Sequence, residues 1–170
     1  LLGATHADPH PGNYRAHGQQ LGVVDFGSIA HPSGDFTRVL CDTLLASSAL
    51  NNPAKQAEAE QHIARTWINA GMAPENINPA TLIEAIDVRS DLAEKPVHLN
   101  SDWLQNAGSN WSDPASALDK LNNLRFPHRY LLEHRALGGA LALAASLDAT
   151  VDMRDVIYAN ASQAAQKLVN

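Results

Sequence analysis

The reading turns on His6-Ala7-Asp8-Pro9-His10-Pro11-Gly12-Asn13, followed by Val23-Val24-Asp25-Phe26-Gly27. Asp8 and Asn13 stand five residues apart, and Asp25 follows twelve residues after Asn13. The interval holds two short runs suited to strands. Asn13-Tyr14-Arg15-Ala16 leads into a turn around His17-Gly18-Gln19-Gln20, and Leu21-Gly22-Val23-Val24-Asp25 returns from it. Val-rich runs bounded by Gly signal strands, so the spacing predicts a small β-hairpin that brings Asn13 and Asp25 to one end. Gly12 and Gly27 let the backbone turn tightly beside both residues.

Beyond this segment the pattern becomes helical. Val39, Leu40, Thr43, Leu44 and Leu50 recur at helix-like spacing behind a cap at Ser33 or Asp35. Ala59, Ile63, Ala64, Trp67 and Ile68 mark a second helix that stops near Gly71, and a third is predicted from Pro79 to about Ala93. Glu94 to Asp113 reads as a loop with one short helix around Trp103. Ser112-Asp113-Pro114 looks like a cap with proline in the first turn, and Pro127 opens the next helix. That helix carries Leu132, Ala136, Gly139, Ala140, Leu143 and Leu147 on one stripe, with Leu137, Leu141 and Ala145 on another. Such a helix is expected to be buried, and Gly138-Gly139 would admit another backbone closely. A last helix is predicted from Asp152 to Leu168. No internal repeat is present.

The 170 residues suit a single domain: 1–31 as loop and hairpin, 32–170 as a helical subdomain. The fold class is mainly α, α+β overall, with the hairpin set on a bundle of about six helices. A hydrophobic fraction of 45% excludes a disordered chain. The net charge of −6, with no dense Lys/Arg run, speaks against nucleic acid as a partner. The single cysteine, Cys41, makes no internal disulfide and points to a reducing, cytoplasmic compartment. The longest apolar run, Ala136 to Leu147, is too short for a bilayer, which needs about 20 residues. Asn110-Trp111-Ser112 and Asn160-Ala161-Ser162 are read as chance matches to a glycosylation pattern.

The order and spacing of the first segment resemble the protein-kinase catalytic loop, H-R-D-x-x-x-x-N, followed by D-F-G. Phosphoryl transfer asks a protein to position groups and offset charge. On this pattern Asp8 is the catalytic carboxylate beside an acceptor hydroxyl. Asn13 and Asp25 are the metal ligands, since Mg²⁺ is a hard cation that takes oxygen donors and keeps several waters.

The full string His-Ala-Asp-Pro-His-Pro-Gly-Asn with Val-Asp-Phe-Gly resembles the UbiB (AarF, coenzyme-Q-kinase-like) family of atypical kinases. The match is tight over residues 6–27. It is looser from Arg125-Phe126-Pro127 to Arg135-Ala136-Leu137. The resemblance implies a kinase-like C-terminal lobe that uses Mg²⁺ with ATP or ADP, with Asn13, Asp25, Gly27 and His10 around the nucleotide. It implies ATPase or small-molecule kinase activity linked to isoprenoid quinone biosynthesis or lipid homeostasis. The partners implied are adenine nucleotide, quinone-biosynthesis proteins or a lipid substrate, and the full-length protein would associate peripherally with a membrane. Ala7 replaces the usual arginine and no A-P-E segment follows, which departs from phospho-switched kinases.

Only five residues precede His6, so the phosphate-gripping lysine of an N-terminal lobe is not found here. The chain alone is expected to bind ATP weakly or not at all and to be inactive. Three other readings compete. An aminoglycoside- or choline-type phosphotransferase shares the H-x-D-x-x-x-x-N loop. A nucleotide-binding regulator would use the same ligands without turnover. His6, Asp8 and His10 could also ligate zinc or iron, although Pro9 and Pro11 oppose a regular strand there. His6 is read as bracing the loop.

Overall fold

Apolar side chains recur at helical spacing between residues 35 and 69, and they meet in the centre of the molecule. The computed structural model describes residues 4–31, 34–86, 91–108, 124 and 127–169. Helix α1 (Asp35–Ser47) buries residues on several sides, among them Phe36, Val39, Cys41, Leu45 and Ala46. It packs against α2 (Gln56–Asn69), α7 (Arg154–Asn160) and α8 (Gln163–Val169). Ala46, Ile63 and Leu82 from α1, α2 and α3 (Pro79–Ile86) share one core with Leu168 of α8. A fully buried side chain such as Ile63 or Leu82 contributes about 1.5–3 kcal/mol. Small residues, mostly alanine, let these helices approach closely.

Helix boundaries obey local chemistry. The cap of α1 is Gly34, in the left-handed region at φ 80°, rather than Asp35. Asp35 instead lies in the first turn, where a negative charge suits the helix dipole, and pairs with Arg38 at 2.5 Å. Helix α2 ends as expected at Gly71, whose φ of 71° reverses the chain. The Trp67 indole then donates to Thr43 Oγ1 at 3.0 Å and ties α2 to α1. Within the helix predicted from Pro79 to about Ala93, α3 and α4 (Asp91–Glu94) are helical, and residues 87–90 lie outside the described residues. The cap at Ser33, the Ser112-Asp113-Pro114 cap, the Asn110 site and Arg125-Phe126 lie outside the described residues.

The segment read as a loop after Glu94 holds α5 (Ser101–Gly108), which contains Trp103 as predicted. It also holds β5 (Val97–His98), which pairs antiparallel with β6 (Thr150–Val151) and was not predicted. After Pro127 a 3-10 turn, His128–Tyr130, feeds α6 (Leu131–Ser146). Tyr130 is buried and stacks on Phe36 with ring centroids 5.4 Å apart. The expectation of a buried α6 is corrected. Ala136 and Ala145 are buried, but Leu131, Leu132 and Leu137 are exposed. The helix lies at the edge of the bundle, where α5 and the first strand cover one side of it.

The predicted last helix is two helices. Asp42, on α1, receives the Ser162 N–H at 2.6 Å and the Ser162 hydroxyl at 2.8 Å. Ser162 in turn accepts from the Ala165 N–H at 3.2 Å, so it caps α8 and breaks the helix behind Ala161. His62 Nε2 lies 3.3 Å from Asp42 Oδ2, close enough for electrostatic attraction but outside hydrogen-bond alignment. Eight α-helical segments are thus described, mostly helical structure with small antiparallel sheets. Among the described residues no helix is long and apolar enough to cross a membrane.

Candidate functional site

Two strand pairs build the platform for the predicted loop. Strand β1 (Thr5–His6) pairs antiparallel with β4 (Ile29–Ala30), and β2 (Tyr14–His17) pairs with β3 (Gln20–Val23). The hairpin turns at Gly18, whose φ of 58° is easy only without a side chain. Its register sets Tyr14 opposite Val23, and the Val24 N–H donates to the Asn13 carbonyl at 2.9 Å. Asn13 and Asp25 therefore sit at the same end of the hairpin, as the spacing predicts. The β1–β4 pair has no sequence signature; two-residue strands carry no period to read.

Residues 7–13 fold into a compact loop held by its own groups. The Ala7 N–H donates to Ser28 O at 2.9 Å, and the His10 N–H to Asp8 O at 2.8 Å. His10 Nδ1 accepts from the Gly12 N–H at 3.0 Å and caps a 3-10 turn over Pro11–Asn13. His10 is exposed. Asn13 is buried; its Nδ2 donates to Asp8 O at 3.0 Å and to Asp8 Oδ2 at 3.2 Å. With Nδ2 committed in this way, the amide oxygen points elsewhere.

His6 links the loop to the Asp25 turn. Its Nδ1 accepts from the Asp8 N–H at 3.4 Å, while Nε2 approaches Asp25 O at 2.8 Å and Val24 O at 3.2 Å. Carbonyls only accept, so Nε2 carries the proton and Nδ1 is the acceptor. Asp25 has φ 61°, a left-handed backbone that costs energy for any residue with a Cβ. Its Oδ1 accepts from the Gly27 N–H at 3.3 Å, and the residue is exposed. Phe26 is 67% exposed, with its ring edge-on to His6 at 6.0 Å.

Helix α6 supports this loop from behind. Gly139 faces Pro9 so closely that a Cβ there would overlap the proline ring, 2.9 Å from its Cβ. One turn earlier, Arg135 donates to Asp8 Oδ1 at 2.9 Å. The sequence assigns Arg135 no role in the site; its one trace there is the loose likeness around Arg135-Ala136-Leu137. The close approach expected of a backbone at Gly138-Gly139 is instead made by the Pro9 ring, at Gly139 alone.

No family model matches the chain, and no curated protein matches it. The loop geometry bears on the chemistry directly. It brings together Asp8, Asn13 and the Asp25 turn, with His10 and Gly27 on the exposed rim. It does not assemble the His-x-Asp-x-His metal site. His6 Nε2 is spent on Val24 and Asp25 carbonyls, and His10 Nδ1 on Gly12. Among the described residues no group of three or more His, Cys, Asp or Glu is placed to hold a metal.

Proposed function

We propose that the chain carries the metal-binding and base half of a phosphoryl-transfer site, in a kinase-like C-terminal lobe of the UbiB type. The observation that supports this best is the His6 bridge, which ties the backbone of Asp8 to that of Asp25 while Asn13 bonds to Asp8. The His6 side chain thereby ties the Asp8 and Asp25 backbones together, and the Asn13 side chain is held on Asp8. Positioned oxygens and offset charge are what this chemistry demands.

The residues fit a magnesium–nucleotide complex. The Asn13 amide oxygen and an Asp25 carboxylate oxygen would hold Mg²⁺, a hard cation satisfied by two protein oxygens plus water and phosphate. When bound, the ion neutralises charge developing on the phosphates. Asp8 then stands beside an acceptor hydroxyl or water. His10 and the Gly27 backbone, on the exposed rim, fit contact with phosphate or sugar. The acceptor class implied by the resemblance is a small molecule of quinone or lipid metabolism.

The test is Mg-ATP turnover and nucleotide binding by the full-length protein and two variants. Asp8→Asn is expected to keep ADP binding and to lose turnover by about 100-fold or more. Asp25→Asn is expected to lose the Mg²⁺-dependent part of binding. Turnover unchanged in Asp8→Asn would overturn the reading.

A further inference from the structure

Asp8 and Asp25 place two carboxylates beside the proposed nucleotide, whose own phosphates are negative. Mg²⁺ offsets part of that charge. Helix α6 brings one more cation to the loop: Arg135, in contact with Asp8 Oδ1 at 2.9 Å. Asp8 is therefore engaged on both oxygens, by Arg135 and by Asn13. A guanidinium presents five donors and serves phosphate as readily as carboxylate. The Arg135 side chain is 62% exposed, so its guanidinium has donors open to a second partner.

We propose that Arg135 is the cation that meets the phosphoryl group in transit. Resting on the phosphoryl-transfer reading, the inference assigns the pair two states. Without nucleotide, Arg135 is parked on Asp8. With Mg-ATP and an acceptor bound, the guanidinium turns to the equatorial oxygens of the γ-phosphoryl group and frees Asp8 Oδ1. The acceptor oxygen then bonds to the γ-phosphorus, and the bond from that phosphorus to the β,γ-bridging oxygen breaks. ADP departs with the bonding pair, and the acceptor proton passes to Asp8. Geometry favours this exchange: the acceptor hydroxyl must lie between Asp8 and the phosphorus, so a group bonded to Asp8 is already adjacent to the transferred oxygens.

The experiment compares the full-length protein with Arg135→Gln and Arg135→Lys, using Arg154→Gln as a surface control. Turnover of Mg-ATP and the Kd of ADP are measured, the latter with and without aluminium fluoride, whose ADP complex mimics the phosphoryl group in flight. Arg135→Gln should lower turnover by about 100-fold and abolish the tightening of ADP by fluoroaluminate, while ADP alone binds within about 3-fold of wild type. Arg135→Lys should recover part of both. Wild-type tightening that persists in Arg135→Gln overturns the role of Arg135 while leaving the phosphoryl-transfer reading intact. A wild-type protein with neither turnover nor ADP binding overturns that reading and the inference together.

Discussion

Pro9 rests directly on Gly139: the proline ring of the loop fills the space where any other residue on α6 would carry its Cβ. A methyl group there has nowhere to go, because one partner is a rigid ring and the other a helix backbone. Gly139→Ala is expected to displace the loop and, on the proposed phosphoryl-transfer reading, to lower Mg-ATP turnover of the full-length protein at least 10-fold, a loss typical of small misplacements in a reacting site. Gly138 has open space beside it. Gly138→Ala should raise stability by about 1 kcal/mol through helix propensity alone, with turnover unchanged. Thermal melts and turnover assays on the two variants check the pair.

Asp25 separates backbone strain from ligation. Its φ of 61° suits glycine better than alanine. Asp25→Gly should be more stable than Asp25→Ala by about 1 kcal/mol. If Asp25 ligates Mg²⁺ as proposed, both should lose Mg²⁺-dependent nucleotide binding to the same extent. Urea denaturation gives the first comparison and calorimetry the second; equal stability of the two variants would contradict the strain.

Asp42 is the buried carboxylate that breaks the C-terminal helix. Burial opposes its ionisation, but the His62 imidazole and the Ser162 N–H and hydroxyl outweigh that and hold its pKa below the ordinary 3.8. A lowered folded-state pKa gives stability that is full above the unfolded value and is lost as pH falls through the folded one. The urea midpoint should therefore begin to drop as pH approaches 3.8 and keep dropping below it. Asp42→Asn should flatten that dependence and cost about 2 kcal/mol at pH 7, the scale of a hydrogen bond to a charged group.

Cys41 is buried in the core formed by α1, α7 and α8. Burial, with the neighbouring Asp42 carboxylate, pushes its thiol up to about 11. The thiolate is the reactive form, so Cys41 should resist iodoacetamide at pH 8 in the native protein. Addition of denaturant should release full labelling, read by mass spectrometry.

The candidate loop was legible because its chemistry is local. Asp8, Asn13 and Asp25 lie within eighteen residues, and a hairpin of that length has few ways to close. Helices α1 and α2 were legible for a similar reason, since their apolar faces repeat every three or four residues. What escaped depends on partners far along the chain. Ser162 is a cap-type residue, but its break of the helix is not legible from it alone; its partner Asp42, which accepts from it, lies 120 residues earlier. Arg135 reaches Asp8 across 127 residues. The edge position of α6 escaped too, because an apolar sequence does not record which of its sides will find a neighbour.

The β2–β3 hairpin has one more consequence. Its outer half, from Arg15 to Gly22, is exposed, while both ends are pinned by the Asn13–Val24 hydrogen bond and the His6 bridge. The tip is thus a natural port for engineering. A fluorophore or affinity tag spliced between Gly18 and Gln19 would lengthen the arm and leave the anchored base in register.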